Sequence, residues 1–398
     1  MPNPNSRKKP ILITNGSGPA SLEWSRICAK AGYPVLIANC GRWSLCATSR
    51  SVAKHYSVPS PRHEPRAFTL ALQEIIAREG VGLVLPVYEE IFPIAQARSA
   101  LSTLCPVFCS NFDLLRCMHS KYEFATYARS HGLAVPETEL LDSVPALESV
   151  LTANRSVVLK PEFSRFSSKT VILPSTREQV RHVRPDPSAR WVVQDYIPGH
   201  QICTFSLARE GKILAHAAYA TEFTVGKGAS IAWQAIHHPE ALKWVGRFLQ
   251  LTGFTGQVGF DFIEGAQLFA IECNPRATSG IHLLADQPGL LRAIIADHAS
   301  CLIPPTGKKA MHGLLMADYV LRRVRSPFAL HHFWQTVSAS RDVIFSHSDP
   351  LPFLCQGLGL LDLARIAHTH DVSLTEAATF NFEWNGQLDT QEGDHVEC

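Results

Sequence analysis

Apolar runs of strand length alternate with stretches of helical spacing along the N-terminal quarter of the chain. In chain order, these segments cover residues 11–14, 20–31, 35–38, 68–79, 81–85, 90–99 and 106–109. A strand, a helix and a second strand in succession are typical of the βαβ unit, whose two strands are parallel. Repetition of this unit predicts a doubly wound N-terminal α/β domain.

Two later runs with alternating apolar positions, residues 258–263 and 268–271, predict a β-hairpin with one buried face. Asp261 lies on the first strand. Glu272 and Asn274 are one residue apart at the end of the second, so the strand period of two places both side chains on the same side. Such carboxylate and amide oxygens are ligands for Mg²⁺, with nucleotide phosphates completing the shell. The alternative is a surface hairpin whose acids are solvated.

Three basic side chains belong with this hairpin. Arg276 follows it by two residues and offers a planar fork suited to phosphate or carboxylate oxygens. Lys160 ends an apolar strand over residues 157–160. Lys121 stands in the first turn of a helix over residues 120–131, where the helix dipole favours anions. A solvated lysine is the alternative interpretation of Lys121.

Together these segments resemble the ATP-grasp superfamily, in particular its carbamoyl-phosphate-synthetase-like and biotin-carboxylase-like branch. The likeness runs from about residue 11 to about residue 304. It depends on the order of Lys121, Lys160, residues 194–197, Asp261, Glu272, Asn274 and Arg276.

The resemblance implies an architecture that combines α/β and α+β parts. A doubly wound domain would precede a two-lobed ATP-grasp fold, which a C-terminal appendage would follow. The implied bounds are 1–10 for a disordered tail, 11–117 for the N-terminal domain, 118–305 for the ATP-grasp domain with lobes 118–195 and 196–305, 306–386 for the appendage and 387–398 for a polar tail.

The resemblance also implies ATP and Mg²⁺ or Mn²⁺ as cofactors, with the metal on Asp261, Glu272 and Asn274. The implied nucleotide contacts are Lys121, Lys160, Gln194, Asp195, Tyr196, Ile197, Gln201, Ser167 and Ser168. The implied catalytic groups are Arg276, Lys160 and Arg165, and the substrate candidates are Asn15, Glu89, Ser279, Gly280 and His282.

Two positions depart from the family pattern. Gln201 stands where a glutamate usually holds the ribose, so strong ribose binding is in doubt. Ser167 and Ser168 lie in a loop that is usually rich in glycine, so the backbone there has less freedom but gains hydroxyl donors.

The implied reaction is the activation of a carboxylate as an acyl phosphate, which an amine then converts to an amide with release of ADP and phosphate. Amino-acid-type substrates are expected. One alternative is a nucleotide-binding module without chemistry. Another is a nicotinamide-dependent oxidoreductase that uses the glycine turn at Gly16 and Gly18. Ser21 at the third glycine position and Asn39 in place of a ribose-binding acid disfavour the oxidoreductase.

Composition narrows the class of partner. The 398 residues suffice for two or three domains, and the formal net charge of +2 indicates no nucleic-acid partner. No run approaches the ~20 apolar residues that span a membrane, and the polar start does not resemble a secretory signal. The 11 cysteines include no Cys-x-x-Cys pair, which favours reduced thiols and a cytoplasmic location. Small molecules are the expected partners, and a homodimer is left open.

Overall fold

The computed structural model describes residues 8–153, 155–165, 169–225, 229–296, 300–323 and 327–386. Within these ranges the strands form three sheets, two of four strands and one of seven. The tails predicted over residues 1–10 and 387–398 lie largely outside the described residues.

The first sheet belongs to the N-terminal part of the chain. Its elements are β1 (Ile11–Thr14), α1 (Pro19–Lys30), β2 (Val35–Asn39), β3 (Lys54–Ser57), α2 (Pro65–Glu79), β4 (Leu83–Leu85), α3 (Ile91–Gln96), α4 (Arg98–Ser102) and α5 (Phe112–His119). The strands are parallel in the order β3-β2-β1-β4. Strands β1 and β2 are buried along their whole length, as expected for a parallel sheet covered on both faces.

Two details of this sheet differ from the sequence prediction. The strand predicted over residues 106–109 is reduced to one bridge between Val84 and Val107. Pro106 has no N–H to donate, and the amide of Cys109 turns back to the carbonyl of Val107 at 3.0 Å, so the ladder cannot extend. Strand β3 was not predicted because its sequence, Lys-His-Tyr-Ser, lacks apolar alternation and lies largely exposed.

The second sheet is antiparallel and follows the helix that carries Lys121. Its elements are α6 (Lys121–Ser130), β5 (Thr138–Leu141), α7 (Val144–Thr152), β6 (Val157–Pro161), β7 (Val171–Ile172) and β8 (Trp191–Asp195). The strand order is β5-β8-β6-β7. A separate small core, which includes Leu147 of α7 and Leu159 of β6, holds these elements together.

The seven-stranded sheet contains the predicted acidic hairpin. Its elements, with three helices, are β9 (His200–Arg209), β10 (Lys212–Val225), β11 (Ala229–Ile236), α8 (Pro239–Thr252), β12 (Gly256–Glu264), β13 (Leu268–Asn274), α9 (Ile281–Leu284), α10 (Leu290–Ile295), β14 (Lys309–Met311) and β15 (Ser340–Asp342). The order is β13-β12-β9-β10-β11-β14-β15, so the sheet continues past the predicted boundary at residue 305. Helix α8 covers the hairpin with Trp244 and Phe248, which stack at 5.4 Å and meet Phe260 of β12.

The remaining helices lie after β14. They are α11 (Gly313–Arg323), α12 (Pro327–Ala339), α13 (Leu351–Leu354), α14 (Gln356–His370) and α15 (Leu374–Ala377). After α15 the chain returns to the N-terminal sheet, where Arg62 N and Ser60 Oγ donate to the carbonyl of Asn381. The ring of Trp384 stacks on Phe92 of α3 at 4.4 Å. The C-terminal segment therefore lies beside the elements that carry Glu89 and Arg165.

Candidate active site

The acidic hairpin brings its three predicted metal ligands together. Asp261 on β12 is the direct register partner of Glu272 on β13. Asn274 Nδ2 lies 3.4 Å from Asp261 Oδ2. Burial and the nearby charge of Glu272 raise the pKa of Asp261 to about 6. The repulsion between the two carboxylates would be relieved by a bound cation.

The chemistry of this donor set fits Mg²⁺ or Mn²⁺. Asp261, Glu272 and Asn274 offer only oxygen ligands, and they are too few to fill an octahedral shell without phosphates or water. Among the described residues there is no group of three or more His, Cys, Asp or Glu side chains that could hold a metal alone. The hairpin thus matches a cation that is shared with a nucleotide.

Two buried lysines reach this acidic pair. Lys160, at the end of β6, donates from Nζ to Gln194 Oε1 at 2.9 Å. Burial lowers the pKa of Lys160 to about 8, against the opposing charge of Glu272. Lys121 Nζ lies 3.5 Å from Glu272 Oε1 and donates to the carbonyl of Ser164 at 3.3 Å. Lys121 of helix α6 and Lys160 of strand β6 therefore face the carboxylates of the hairpin.

Glu162, which the sequence analysis missed, ties the start of the helix that carries Lys121 to the end of the strand that carries Lys160. Its Oε1 accepts from Ser120 Oγ at 2.5 Å, its Oε2 pairs with Arg190 at 2.8 Å, and its carbonyl accepts from Lys121 N at 3.3 Å. It joins the start of α6 to the end of β6. The only sequence signal was its place two residues after Lys160.

The predicted nucleotide contacts at residues 194–197 have different partners within the protein. Gln194 orients Lys160 and also approaches Thr138 Oγ1 at 3.3 Å. Asp195 turns outward to Arg155, with Nη2 at 2.9 Å, so its side chain is engaged at the surface. Tyr196 donates its amide to Ser156 O at 2.9 Å, and Ile197 is half-buried.

Gln201 lies on the same sheet face as the metal ligands. It pairs in register with Ile263, two residues from Asp261, and its Nε2 lies 3.8 Å from Cys203 Sγ. Gln201 as a whole residue is exposed to solvent. The predicted contacts Ser167 and Ser168 lie outside the described residues.

A cluster around Glu89 extends the site away from the hairpin. Arg165 Nε and Arg276 Nε lie 2.9 Å and 3.2 Å from Glu89 Oε1, and Trp384 N donates to Oε2 at 2.9 Å. Burial opposes ionisation of Glu89, but Arg165, His119 and Arg276 outweigh it and lower the pKa of Glu89. The carboxylate is therefore charged and fixed.

Arg276 connects this cluster to the metal ligands. Its Nη2 donates to Asn274 Oδ1 at 2.9 Å while its Nε faces Glu89. Arg165 is buried beside it, and burial with the charge of Arg276 lowers the pKa of Arg165 to about 10. A continuous polar path thus runs from Asp261 through Asn274 and Arg276 to Glu89.

The other four substrate candidates have contacts of their own. Asn15 adopts φ 62° and accepts from Ser17 N, as a turn residue does. Gly280 packs so closely that an added Cβ would overlap Phe205. The carbonyl of Ser279 accepts a hydrogen bond from the amide of His282 at 3.2 Å, in the turn that begins α9.

His282, the remaining substrate candidate, is part of a buried ion-pair network. Its Nδ1 lies 2.6 Å from Glu23 Oε2 of α1, and Arg341 Nη2 meets the same oxygen at 2.5 Å. Burial lowers the pKa of His282, which Glu23 partly opposes. The ring joins helix α1 to helix α9.

His119 and Trp384 were not identified from sequence. The His119 ring lies 5.1 Å from Phe92 and 6.1 Å from Trp384, and burial lowers its pKa to about 4. Neutral aromatic surface therefore lines the side of the Glu89 cluster. The sequence around His119 has no pattern that would predict its position beside Glu89.

Side chains of the protein occupy the space around the two glycines of the turn that follows β1. An added Cβ at Gly18 would overlap the hydroxyl of Tyr88, and one at Gly16 would overlap Ser44. Asn39 Oδ1 accepts the amide of Gly16 at 3.0 Å. These glycines serve packing, so the geometry disfavours the dinucleotide site that an oxidoreductase would need.

The comparison with known families decides the identity of the central domain. A profile of the ATP-grasp domain matches residues 118–280. Those residues are an ATP-grasp domain. The match confirms the predicted family, the mixed α/β fold class and the expectation of an enzyme, with ATP and Mg²⁺ as the cofactors of the ATP-grasp domain.

Solved structures share the fold at low sequence identity. N5-carboxyaminoimidazole synthetase from Staphylococcus aureus is 13% identical with a TM-score of 0.60, over 80% of this chain and 88% of that one. L-amino acid ligase from Bacillus licheniformis is 14% identical with a TM-score of 0.55, over 69% of each chain. The biotin carboxylase domain of 2-oxoglutarate carboxylase from Hydrogenobacter thermophilus, in complex with MgADP, ADP and bicarbonate, is 14% identical with a TM-score of 0.59, over 77% and 74%. No curated protein sequence matches the chain.

The comparisons do not test the roles given to single residues, which stay predictions. Among the described residues, no helix is both long and apolar enough to cross a membrane.

Proposed function

We propose that the protein is an ATP-dependent carboxylate–amine ligase that activates a carboxylate as an acyl phosphate. The observation that carries the proposal is the path from the Asp261–Glu272 pair through Asn274 to Arg276, with Lys121 and Lys160 facing the same carboxylates. It combines a cation site, phosphate-neutralising lysines and an arginine in one place.

The residues around the path have distinct tasks. Lys121 and Lys160 would hold phosphate oxygens, since each is buried near the end of a helix or strand and carries N–H donors. Mg²⁺ at Asp261, Glu272 and Asn274 would supply further neutralisation of charge that develops on the phosphates. Gln194 keeps Lys160 in position, and Glu162 holds the start of the helix that carries Lys121.

The proposed reaction has two steps. A carboxylate oxygen of the substrate attacks the γ-phosphorus of ATP, and the bond from that phosphorus to the ADP oxygen breaks. The amine nitrogen then attacks the acyl carbon, the bond to the phosphate oxygen breaks, and the amine releases its proton to solvent. Arg276 faces the transferred group, where its fork would stabilise the charge spread over the equatorial oxygens.

Two of the similar structures support this class of reaction. One is an L-amino acid ligase and another a carboxyaminoimidazole synthetase. Both names describe ligation or synthesis, which agrees with an activated carboxylate. Small-molecule acid and amine substrates, a possible homodimer and a cytoplasmic location stay predictions.

Trapping with hydroxylamine tests the proposal. With a panel of carboxylic acids, ATP and Mg²⁺, we expect a hydroxamate together with ADP. Formation of AMP and pyrophosphate would contradict the proposal, because it indicates an acyl adenylate. Hydroxamate formation that is unaffected by Arg276→Ala would reject the role of that arginine alone.

A further inference from the structure

A cavity lies beside Arg165, which forms part of its lining. It has a volume of about 240 Å³ and lies between the loop at Pro161–Arg165 and the C-terminal segment. Drug-sized ligands occupy roughly 300–1,000 Å³, so this space suits a smaller molecule. The cavity adjoins the reaction centre because Arg165 shares Glu89 Oε1 with Arg276.

Part of the lining of this cavity is basic. Arg165 is buried there and its guanidinium lies over the ring of Phe382 at 5.5 Å. Lys169 also lines the cavity. A planar guanidinium is well suited to a carboxylate, and the neighbouring Arg276 is where that carboxylate would meet the γ-phosphoryl group.

An acidic side chain lies in the same cavity. Glu383 lines the cavity, and its Oε2 accepts from Thr379 Oγ1 at 2.8 Å, while its Oε1 has no hydrogen-bond partner among the described residues. Its charge acts on Arg165 and opposes the effect of burial on the pKa of that arginine. The other acid of the lining, Glu376, is engaged by Ser373 in a helix cap.

The walls between these charges are aromatic. Phe163 and Phe380 line the cavity on opposite chain segments, and Phe163 packs edge-on against Trp384 at 5.2 Å. A basic part of the lining, an acidic side chain and an apolar wall match the three parts of an α-amino acid: carboxylate, ammonium and side chain.

We propose that this cavity binds the carboxylate substrate as a zwitterionic α-amino acid, with the carboxylate at Arg165 and the ammonium at Glu383. The inference rests on the proposed function, which supplies the need for a carboxylate at Arg276. Glu383 is then a specificity-determining residue contributed by the C-terminal segment, outside the ATP-grasp domain at residues 118–280. Its charge selects for the α-ammonium group.

Binding measurements on the full chain test the inference separately from the reaction. Titration calorimetry with Mg²⁺ and a non-hydrolysable ATP analogue compares amino acids with their des-amino acids, which keep the carboxylate and the side chain. We expect at least one amino acid to bind at least about tenfold more tightly than its des-amino analogue. The variant E383Q, which keeps the size of the side chain, should lose that preference while its affinity for the des-amino acid changes less than about twofold.

The variant D371N is the matched control. It removes one carboxylate from the connection between α14 and α15, at an exposed position outside the cavity, where φ 52° suits asparagine. It should keep the full preference. Equal affinity of both ligand classes in the wild type, an equal loss of both in E383Q or an unchanged preference in E383Q would overturn the inference. Selective amino-acid binding with no ADP release would reject the proposed function instead.

Discussion

Replacement of Glu23 by glutamine should remove a large, pH-dependent part of the stability. Glu23 is buried between His282 and Arg341 and connects α1 with α9 and β15. Burial opposes its ionisation, but the hydrogen bond from His282 and the charge of Arg341 prevail and lower the pKa of Glu23 from 4.5 to about 2. The carboxylate is thus favoured in the folded protein.

The size of the effect follows from this difference in pKa. The carboxyl with a folded pKa of about 2 and an ordinary pKa of 4.5 contributes about 3 kcal/mol to the free energy of unfolding at neutral pH. Because the folded pKa of Glu23 is the lower one, the contribution is complete above pH 4.5 and is lost as the pH falls towards 2. At pH 3, about 1 kcal/mol of it should remain.

Urea unfolding at pH 7 and at pH 3 measures this directly. We expect E23Q to be about 3 kcal/mol less stable than the wild type at pH 7, and the gap to narrow to about 1 kcal/mol at pH 3. Glu178→Gln removes a carboxylate from an exposed pair with Arg181 and serves as the control, with no such narrowing. A gap for E23Q that is equal at both pH values would refute the reasoning.

Three variants test the site itself. Lys160→Met should weaken ATP binding about tenfold or more, because a buried ammonium near the phosphates is lost, and unchanged affinity in calorimetry would remove Lys160 from the site. Glu272→Gln should lower kcat at least about tenfold through loss of cation binding, and steady-state turnover within about twofold of wild type would reject the metal assignment. Arg276→Ala should lower kcat more than it raises KM, as expected of a group that acts on the transition state, so a pure KM effect in initial-rate kinetics would argue against it.

The local geometry of the hairpin could be predicted from sequence because the strand period alone determines it. Asp261 and Glu272 are register partners and Asn274 lies beside them, as the alternation indicated. Lys160 lies at the end of its strand for the same reason. These relations depend on neighbours within one hairpin or one strand, which the sequence encodes directly.

Contacts between distant segments could not be predicted in this way. His282 contacts Glu23 across 259 positions, so a residue expected near the substrate is part of a buried ion pair. Trp384 meets Glu89 across 295 positions, so a region without an assigned role lies against the site. Such contacts depend on how the sheets and helices pack, and neither periodicity nor residue type specifies that packing.

The carboxylate of Glu89 has a consequence for any attempt to dissect the protein into fragments. Glu89 follows strand β4 of the N-terminal sheet. Its carboxylate pairs with Arg165 and Arg276, which lie on separate segments of the ATP-grasp domain, and it accepts a hydrogen bond from the amide of Trp384 in the C-terminal segment. Four parts of the chain therefore share one buried negative charge. A fragment cut to residues 118–280 would contain Arg165 and Arg276 without that charge between them, so their mutual repulsion would separate the loop that carries Arg165 from the turn after the hairpin that carries Arg276. Inactivity of such a fragment would say little about the intact enzyme, and adding the missing pieces in trans would be the more informative experiment.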